Sequence, residues 1–517
     1  MIKESVLFGI NPFLFAKAIG TMAKIVIIGG GVAGLSAGIY ARKDGHEVTV
    51  CERHSTAGGN LTGWQRGEYH IDNCIHWLTG THPATEAHQT WAELGALGNV
   101  NVHQPEALFT CDTHGKQLSA YRDLNRFEQE ALLLAPEDEG EIRSLCNAVR
   151  AFAVWSGTPI ANGLSMAERI RHSPKILRYA NLSTKELSKK FHSPLIRKFI
   201  TCMLGEDFTA LALVVTLATF CSENGGIPSG GSLAMAQRMA EQFCNLGGIL
   251  KTNATVQTLH TSGRKVTAVE LVGGEILKAD YVVCACDPKH VFEDMLGAEM
   301  PLALQRLYKN PKMKRFSSVH AAFACENDSL PFHGDFIFEL PIPYKRYLHS
   351  RFLVLREFSH EPSFAPAGKT VLQAMVFCNE KQANSYIELR KNKPEYKAKK
   401  RELSEIFQTA IAEKFPCLRG KLKTLDVWTP ATYHRYTGAE AGAYMSFILP
   451  KGKLPLPTPC AATQWKNLLL ASQWQQPPGG LPTAATLGKR AAKLISQRER
   501  GMMGFFTPKS ARKQQPV

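Results

Sequence analysis

The feature that most constrains this chain is a strand, a glycine-rich turn and a helix near its beginning. The continuous apolar segment Lys24–Ile28 predicts a strand buried on both faces. It is followed by the turn Gly29-Gly30-Gly31-Val32-Ala33-Gly34, a helical stretch to about position 45 and a second strand over 46–51. A GxGxxG between a strand and a helix is typical of a dinucleotide-binding βαβ unit.

The residues of this turn have separate tasks in binding a pyrophosphate. Gly29 permits the tight turn, Gly31 has no side chain to block the phosphates, and Gly34 lets the helix pack close to the strand. The helix begins with Val32 and Ala33, and its free N–H groups attract the negative charge of the phosphates. We therefore expect a dinucleotide with its pyrophosphate at this turn.

Glu52 lies at the end of the second predicted strand, eighteen positions after Gly34. A carboxylate at this position accepts hydrogen bonds from a ribose 2′-hydroxyl and repels a 2′-phosphate, which excludes NADP. The chain contains one GxGxxG. A nicotinamide, if one is used, therefore has no separate Rossmann module.

A glycine pair, Gly58 and Gly59, follows Glu52 and Arg53. Together with the GxGxxG and the glutamate, this pair resembles the glutathione-reductase-like FAD superfamily, in the branch that holds amine oxidases and phytoene desaturases. The resemblance implies that FAD is the cofactor and that Glu52, Arg53, Gly58 and Gly59 bind it. The family usually has arginine after the pair, so Asn60 is a departure that replaces a charge with a hydrogen-bond donor.

Four further segments are similar to the phytoene-desaturase-like and retinol-saturase-like group, namely 70–77, 226–231, 285–288 and 429–438. In this family the strand that contains Val256 lies against the adenine side of FAD. The segment 471–482 resembles the family's closing FAD motif, which places a second helix N-terminus beside the flavin. Its expected binding residues are Ser472, Gln473, Trp474, Gly480, Leu481 and Pro482, and Ser472 and Thr483 replace glycines of the motif.

These features predict an α/β fold, with a glutathione-reductase-like FAD-binding Rossmann domain and a discontinuous α+β substrate domain. The predicted FAD-binding domain comprises 23–80, 220–295 and 455–500, and the substrate domain comprises 81–219 and 296–454. Residues 1–22 are an N-terminal extension and 501–517 a tail. Apolar alternation at 319–324 and 371–377 predicts strands of an antiparallel sheet. Other predicted elements are helices over 232–243 and 481–495 and strands over 255–260, 265–271, 281–285 and 467–471.

Composition restricts the compartment and the class of partner. The 13 cysteines include no CxxC, so we expect neither disulfides nor a metal site, and a cytoplasmic location. The sequence contains no run of 18 apolar residues, so it predicts no membrane-spanning helix. The first 21 residues either precede a functional start at Met22 or form a short surface anchor. The net charge of +16 indicates an anionic partner, and the absence of a nucleic-acid motif argues against DNA or RNA.

A basic amphipathic segment over 165–200 indicates peripheral membrane association. Its basic residues are Arg169, Arg171, Lys175, Arg178, Lys185, Lys189, Lys190, Arg197 and Lys198, interleaved with apolar ones. Such a basic helical cap could dock on anionic lipid and admit an apolar substrate. The alternative is a solvated cap with its basic residues facing outward.

Candidate catalytic residues are few, because the flavin does the redox work and the protein positions it. His76 could face the ring or transfer a proton, and Arg435 and Tyr436 could line the cavity near the flavin. For all three, an ordinary structural role is the alternative. Trp474 could stack beside the flavin.

The leading hypothesis is an FAD-dependent oxidoreductase that desaturates or saturates C–C bonds of an apolar polyene or isoprenoid, resembling phytoene desaturase or retinol saturase. It would need an external electron acceptor or donor that the sequence does not identify. The alternatives are an amine oxidase-type flavoenzyme, a redox-neutral flavin-dependent polyene isomerase and a flavin-stabilised interaction protein.

Overall fold

The computed structural model describes residues 22–155, 174, 177–453, 456–461 and 463–506. Outside this part lie residues 1–21, the end of the predicted tail, and the predicted basic residues Arg169, Arg171 and Lys175. None of the helices within the described ranges is both long and apolar enough to cross a membrane.

The strands of the described chain are numbered in sequence order. They are β1 (Lys24–Ile28), β2 (Glu47–Cys51), β3 (Gly63–Arg66), β4 (Tyr69–Asp72), β5 (Leu78–Thr79), β6 (Val102–His103), β7 (Ala107–Thr113), β8 (Lys116–Tyr121), β9 (Gly225–Pro228), β10 (Ile249–Lys251), β11 (Val256–Ser262), β12 (Lys265–Leu271), β13 (Ile276–Lys278), β14 (Tyr281–Cys284), β15 (Phe316–Glu326), β16 (Asp335–Glu339), β17 (Phe352–Glu357), β18 (Lys369–Asn379), β19 (Lys423–Trp428) and β20 (Leu468–Leu470).

The α-helices are numbered in the same way. They are α1 (Val32–Lys43), α2 (Glu86–Glu93), α3 (Leu124–Leu134), α4 (Glu139–Trp155), α5 (Thr184–Ser188), α6 (Pro194–Cys202), α7 (Ala210–Cys221), α8 (Gly231–Asn245), α9 (Leu302–Tyr308), α10 (Ile342–Leu348), α11 (Glu380–Leu389), α12 (Lys393–Lys414), α13 (Pro430–Thr437) and α14 (Leu481–Phe506).

A five-stranded parallel sheet has the order β10-β2-β1-β14-β20. β1 lies at its centre and its last four residues are buried, as its uninterrupted apolar sequence predicts. Helices α1, α8 and α14 pack together on one face, and the antiparallel sheet β11-β12-β13 packs near the other. The predicted bounds of β1 and β12 are confirmed, whereas α14 extends past the predicted 481–495.

The helix after the glycine-rich turn lies unusually close to its neighbours. A methyl group added to Gly34 would overlap the carbonyl oxygen of Gly29, and one added to Gly38 would lie 2.8 Å from the ring of Phe243 on α8. A methyl group on Gly488 of α14 would overlap the carbonyl oxygen of Ala33. Small residues at these crossings therefore let three helices and the turn share one compact layer.

A seven-stranded sheet has the order β19-β15-β18-β17-β16-β7-β8. The predicted strands at 319–324 and 371–377 are β15 and β18, which pair antiparallel over their whole lengths. β7 and β8 join the sheet through parallel pairing of β7 with β16. The sheet thus combines strands from both predicted segments of the substrate domain, and the α/β fold class is confirmed, while the domain boundaries stay a prediction.

Helices cover both faces of this sheet. On one face a buried cluster joins Phe199, Leu213 and other residues of α3–α7 to β7 and to β16–β18. On the opposite face Leu403 and Phe407 of α12 pack against β15 and β18. The charged first half of α12 is mostly exposed.

The basic segment departs from its prediction at one position. Lys198 does not face outward: it is buried and forms an ion pair with Glu339, because the turn of α6 directs its side chain toward β16. Lys185 pairs with Glu206 at 2.8 Å and Arg178 with Glu141 at 3.0 Å. These pairs reduce the excess positive charge of the described part of the segment.

The contact at Gly34 leads to a stability prediction. We expect Gly34→Ala to lower the free energy of unfolding by at least about 2 kcal/mol, because the added methyl group overlaps backbone rather than a movable side chain. Urea unfolding followed by circular dichroism measures this change. Gly140→Ala is the matched control, since a methyl group there meets no atom within 4 Å. Equal stability of Gly34→Ala and wild type would contradict the packing described here.

Candidate active site

One large cavity, of about 950 Å³, extends from the glycine-rich turn to the seven-stranded sheet. Among the residues predicted to bind the dinucleotide, all except Gly34 line it. Those that line it are Gly29, Gly31, Val32, Ala33, Glu52, Arg53, Gly58, Gly59, Asn60, Val256, Ser472, Gln473, Trp474, Gly480, Leu481 and Pro482. Gly34 faces Gly29 instead, in agreement with the packing role predicted for it.

The glycine-rich turn forms a cradle for phosphate groups. Gly31 pairs with Gly58 through an isolated β-bridge, and the Gly58 N–H donates to the Gly30 carbonyl oxygen at 2.8 Å. Gly31 is the N-cap of α1 and offers no side-chain cap, so the first N–H groups of the helix are open to the cavity. A methyl group on Gly31 would meet no protein atom nearer than 3.8 Å. The space in front of Gly31 thus fits a pyrophosphate.

At one end of the cavity, the Glu52 carboxylate is held by hydrogen bonds from the backbone. Both carboxylate oxygens of Glu52 accept backbone N–H groups, from Gly30 at 2.8 Å and from His54 at 2.9 Å. These bonds fix the orientation of the carboxylate, and each oxygen keeps a lone pair that can accept a ribose hydroxyl.

The Arg53 side chain is hydrogen-bonded to the backbone at the end of α13. Its guanidinium donates to the carbonyl oxygens of Arg435 at 2.7 Å and Tyr436 at 2.9 Å, and burial lowers its pKa. The Tyr436 ring lies 4.7 Å from the His54 ring, so Tyr436 belongs to the Glu52 end of the cavity. The expectation that Arg435 lines this cavity is corrected. Arg435 lines a neighbouring cavity of about 490 Å³ that shares Arg53 with this one, and its guanidinium lies 4.3 Å from the centre of the Tyr436 ring.

Ser472 and Thr483, which replace glycines of the family's closing motif, fit the backbone conformation at their positions. Ser472 has extended backbone with φ −129°, which any residue adopts, and its side chain caps the short helix that follows. Gln473 accepts the Gly480 N–H at 2.9 Å and donates to the Tyr444 carbonyl oxygen at 3.0 Å. Thr483 lies in the first turn of α14, where glycine is not required.

Two other predicted residues of the cavity have protein partners. Asn60 donates to the same Tyr444 carbonyl oxygen at 3.4 Å. The Trp474 ring stacks on Tyr308 at 5.6 Å, and it meets Phe447 edge-on. One face of the indole is therefore covered by Tyr308, which supports the wall of the cavity.

His76 is held by an ion-pair network on the wall of the cavity. Its Nδ1 lies 3.3 Å from a carboxylate oxygen of Asp335, and the other oxygen lies 3.5 Å from Nε of Arg356. Arg356 is buried and also donates to the Ile75 carbonyl oxygen. The carboxylate fixes the ring orientation of His76 on the wall of the cavity, where an imidazole nitrogen can hold or transfer a proton.

Sequence reasoning missed a second polar group in the cavity, comprising His320, Tyr433, Tyr444 and Asn73, with Ser318 behind it in contact with His320. The Tyr433 hydroxyl lies 3.0 Å from Asn73 Oδ1 and 3.2 Å from His320 Nε2. Burial raises the pKa of both tyrosines. Two signals could have found this group: Ser318 and His320 are polar residues on one face of an otherwise apolar strand, and Tyr433 lies within the segment 429–438.

Most of the remaining wall of the cavity is apolar. Its walls come from the helical layer on one side and the seven-stranded sheet on the other. The apolar residues are Phe109, Phe152, Leu177, Met203, Leu204, Phe208, Leu211, Val215, Phe316, Ile337, Val354, Met375, Phe377 and Leu449. Within the described ranges no group of three or more side chains is arranged to hold a metal ion.

Solved structures share this architecture. An oxidoreductase from Methanosarcina mazei aligns with a TM-score of 0.58 and 17% identity, over 92% of this chain and 100% of that one. Putrescine oxidase bound to putrescine aligns with a TM-score of 0.57 and 16% identity, over 92% of this chain and 99% of that one. Cyclohexylamine oxidase from Brevibacterium oxydans IH-35A aligns with a TM-score of 0.57 and 15% identity, over 93% of this chain and 100% of that one. At these identities the likeness shows a shared fold.

Sequence comparison gives the family. The chain is 23% identical to 4,4′-diaponeurosporene oxygenase of Staphylococcus aureus strain MW2, in an alignment 506 residues long that covers 92% of this chain and 98% of that protein. A family model described as flavin containing amine oxidoreductase matches residues 32–496, most of the chain. The protein therefore belongs to the flavin containing amine oxidoreductase family and is an FAD-dependent oxidoreductase.

Proposed function

We propose that this enzyme desaturates or saturates C–C bonds of an apolar polyene or isoprenoid-type substrate. The observation that carries the proposal is the apolar wall that continues from the dinucleotide site to the helical layer and the sheet. Each buried methylene of a substrate there contributes about 0.8 kcal/mol to binding. A long hydrocarbon chain is therefore a better match to this wall than a small polar molecule.

The charges of the cavity argue against an amine substrate. An ammonium ion in a low-dielectric cavity needs an unpaired carboxylate or a similar counter-charge. Among the cavity-lining residues that the structure describes, the carboxylates are Glu52, Asp287 and Asp335. Glu52 belongs to the dinucleotide end, Asp287 accepts hydrogen bonds from Tyr308 and two backbone N–H groups, and Asp335 faces Arg356 and His76. None of the three offers a free negative charge.

The relative from S. aureus adds support. Its name describes an oxygenase of 4,4′-diaponeurosporene, a carotenoid. At 23% identity this likeness favours an apolar polyene-type molecule without identifying it.

In such a reaction, different residues of this chain would bind the cofactor, align the substrate and handle a proton. The turn at Gly31 and the Glu52 carboxylate would hold the two ends of the dinucleotide's AMP half, and Gln473 and Asn60 shape the wall near the flavin. When bound, FAD supplies the redox chemistry by exchanging a hydride with the substrate. The apolar walls exclude water and align the substrate, and His76 is placed to hold or transfer a proton.

We also propose that the enzyme docks on anionic membranes to take up its substrate. Leu177 lines the cavity, yet 55% of its surface is exposed, so the apolar interior reaches the protein surface at this residue. Lys189 and Lys190 are exposed on the same stretch of helices. Exposed basic and apolar residues within one helical segment are typical of a surface that binds acidic lipid headgroups.

Gly31→Val is expected to weaken FAD binding at least about a hundredfold, because the new side chain fills the space of the pyrophosphate. Flavin absorbance after gel filtration measures the loss. The apo-protein serves as control: its unfolding free energy should stay within about 1 kcal/mol of wild type, since no protein atom is close to the new Cβ atom. Full retention of flavin would place the pyrophosphate elsewhere.

A polyene panel tests the reaction. Anaerobic enzyme is photoreduced, mixed with phytoene, carotenoids and retinoids, and followed by the flavin spectrum and by product chromatography. Reoxidation by a polyene means saturation, and reduction of the oxidised enzyme means desaturation. Altered double-bond geometry without net redox means isomerisation. The proposal is wrong if every polyene is inert while putrescine or cyclohexylamine reduces the flavin.

Liposome flotation tests the membrane proposal. Wild type should float with anionic vesicles and not with neutral ones, and Lys189→Glu with Lys190→Glu should reduce flotation at least about fivefold. The pair Lys393→Glu and Lys397→Glu, exposed at the start of α12, is the control with an equal charge change. Equal losses in both double variants would mean that net charge, rather than a docking surface, governs binding.

A further inference from the structure

A second cavity, of about 490 Å³, lies beside the dinucleotide site, and its size is usual for a site that binds a small molecule. Arg53, Asp287 and His290 line both cavities, so the two adjoin at these residues. The ends of α11 and α13 contribute Arg390 and Arg435 to its wall. We call it the arginine cavity, after Arg53, Arg390 and Arg435.

Most carboxylates in the wall of the arginine cavity already have partners. Among the described residues that line it, Glu293 is the one carboxylate with neither an ion pair nor a side-chain hydrogen bond, and it is exposed. The other three are each held by at least one side chain. The contacts are those of Asp287 with Tyr308, of Glu440 with Lys289 and Arg315, and of Asp294 with His290.

The three arginines of the cavity have no such partners. Within the described ranges, no carboxylate oxygen lies within 4 Å of Arg53, Arg390 or Arg435. Arg53 donates instead to the backbone at the end of α13, where it supplies the positive charge that a helix C-terminus favours. Arg435 is thus a second cation at the same helix end. The pKa of Arg53 is lowered by burial and, to a smaller extent, by the charge of Arg435.

The charges of the arginine cavity therefore do not balance. Three guanidinium groups face the Glu293 carboxylate and the C-termini of α11 and α13, each of which carries about half a negative charge. About one positive charge is left over. Arg390 is half-buried and Arg435 is exposed, so a ligand in the cavity can reach their N–H groups. Arginine binds phosphate oxygens through two parallel hydrogen bonds, which are about twice as strong as those between neutral groups.

We propose that the arginine cavity binds a small phosphate ester, whose phosphate group accepts hydrogen bonds from Arg390 and Arg435. A phosphate monoester has three terminal oxygens, enough for two forked guanidinium groups, whereas a carboxylate has only two. Ile387 and Ala431 provide apolar wall for the organic part of the ester. The inference is independent of the proposed function, because no residue of the apolar substrate wall lines this cavity.

Binding is tested on the FAD holoenzyme, in which the glycine-rich turn is already occupied. Glycerol 3-phosphate is titrated at low ionic strength and followed by phosphorus NMR. Its Kd should be about 1 mM or lower, because solvent partly screens the two arginine contacts. Arg390→Gln with Arg435→Gln should weaken binding at least about tenfold. The matched control is Arg401→Gln with Arg419→Gln, an equal charge change at exposed arginines outside the cavity, which should leave the Kd unchanged.

Glu293→Gln separates loss of the site from loss of the fold. It removes the carboxylate that repels an anion, so glycerol 3-phosphate should bind about threefold more tightly, and a damaged fold does not produce a gain of affinity. The proposal is overturned if wild type shows no binding of either glycerol 3-phosphate or phosphatidic acid. It is also overturned if the variant lacking Arg390 and Arg435 binds both as wild type does, or if Glu293→Gln has no effect on the binding that wild type shows.

Phosphatidic acid carries the same phosphate monoester on a lipid, and flotation identifies which source supplies it. Vesicles that contain phosphatidic acid are compared with phosphatidylserine vesicles of matched surface charge. If the lipid is the ligand, Arg390→Gln with Arg435→Gln should lower flotation at least about fivefold on the former and leave it unchanged on the latter. If the double variant floats like wild type on both and loses only glycerol 3-phosphate, the ligand is a soluble ester.

Discussion

The close approach of the first helix to the glycine-rich turn is the contact on which the other parts depend. Because Gly34 and Gly38 carry no side chains, α1 lies against the turn and against α8, and its N-terminus is fixed at the carboxyl end of the central strand β1. The last helix then packs on α1 through Gly488. The phosphate cradle, the core of three helices and the position of the closing motif all follow from this one layer of small residues.

The cavity results from two sheets that present different chemistry. The parallel sheet contributes glycines and backbone N–H groups at the ends of its strands, which suit a charged dinucleotide. The seven-stranded sheet contributes a face of branched and aromatic residues interrupted by Ser318 and His320. The cofactor can thus be held by backbone and the substrate by side chains, so the substrate wall can change without altering the dinucleotide site.

Local patterns predicted the parts of the molecule whose structure is decided by neighbouring residues. The strand bounds of β1 and β12, the glycine-rich turn and the closing motif could be read from short stretches of sequence. The family resemblance then correctly indicated FAD. These features share a cause: a strand, a tight turn or a helix start depends on residue types within a few positions.

The remainder of the site depends on contacts between distant residues. Tyr433 meets Asn73 across 360 positions, and Arg356 reaches the Ile75 carbonyl oxygen across 281, so no local pattern indicates either contact. Arg435 and Lys198 show the opposite error. Their residue types favoured a cavity and a basic surface, but the rotation of each helix, set by its apolar face, points them elsewhere.

The Tyr444 carbonyl oxygen, which accepts from both Asn60 and Gln473, has a consequence for how the enzyme matures. The flavin end of the site is closed by residues from positions 60, 444 and 473, and the parallel sheet gains its last strand only at 468–470. A ribosome must therefore release the chain through position 473 before the pocket can exist. Flavin loading follows the synthesis of this segment, and chains truncated before it would carry an exposed, unfinished sheet edge to the cell's quality-control machinery.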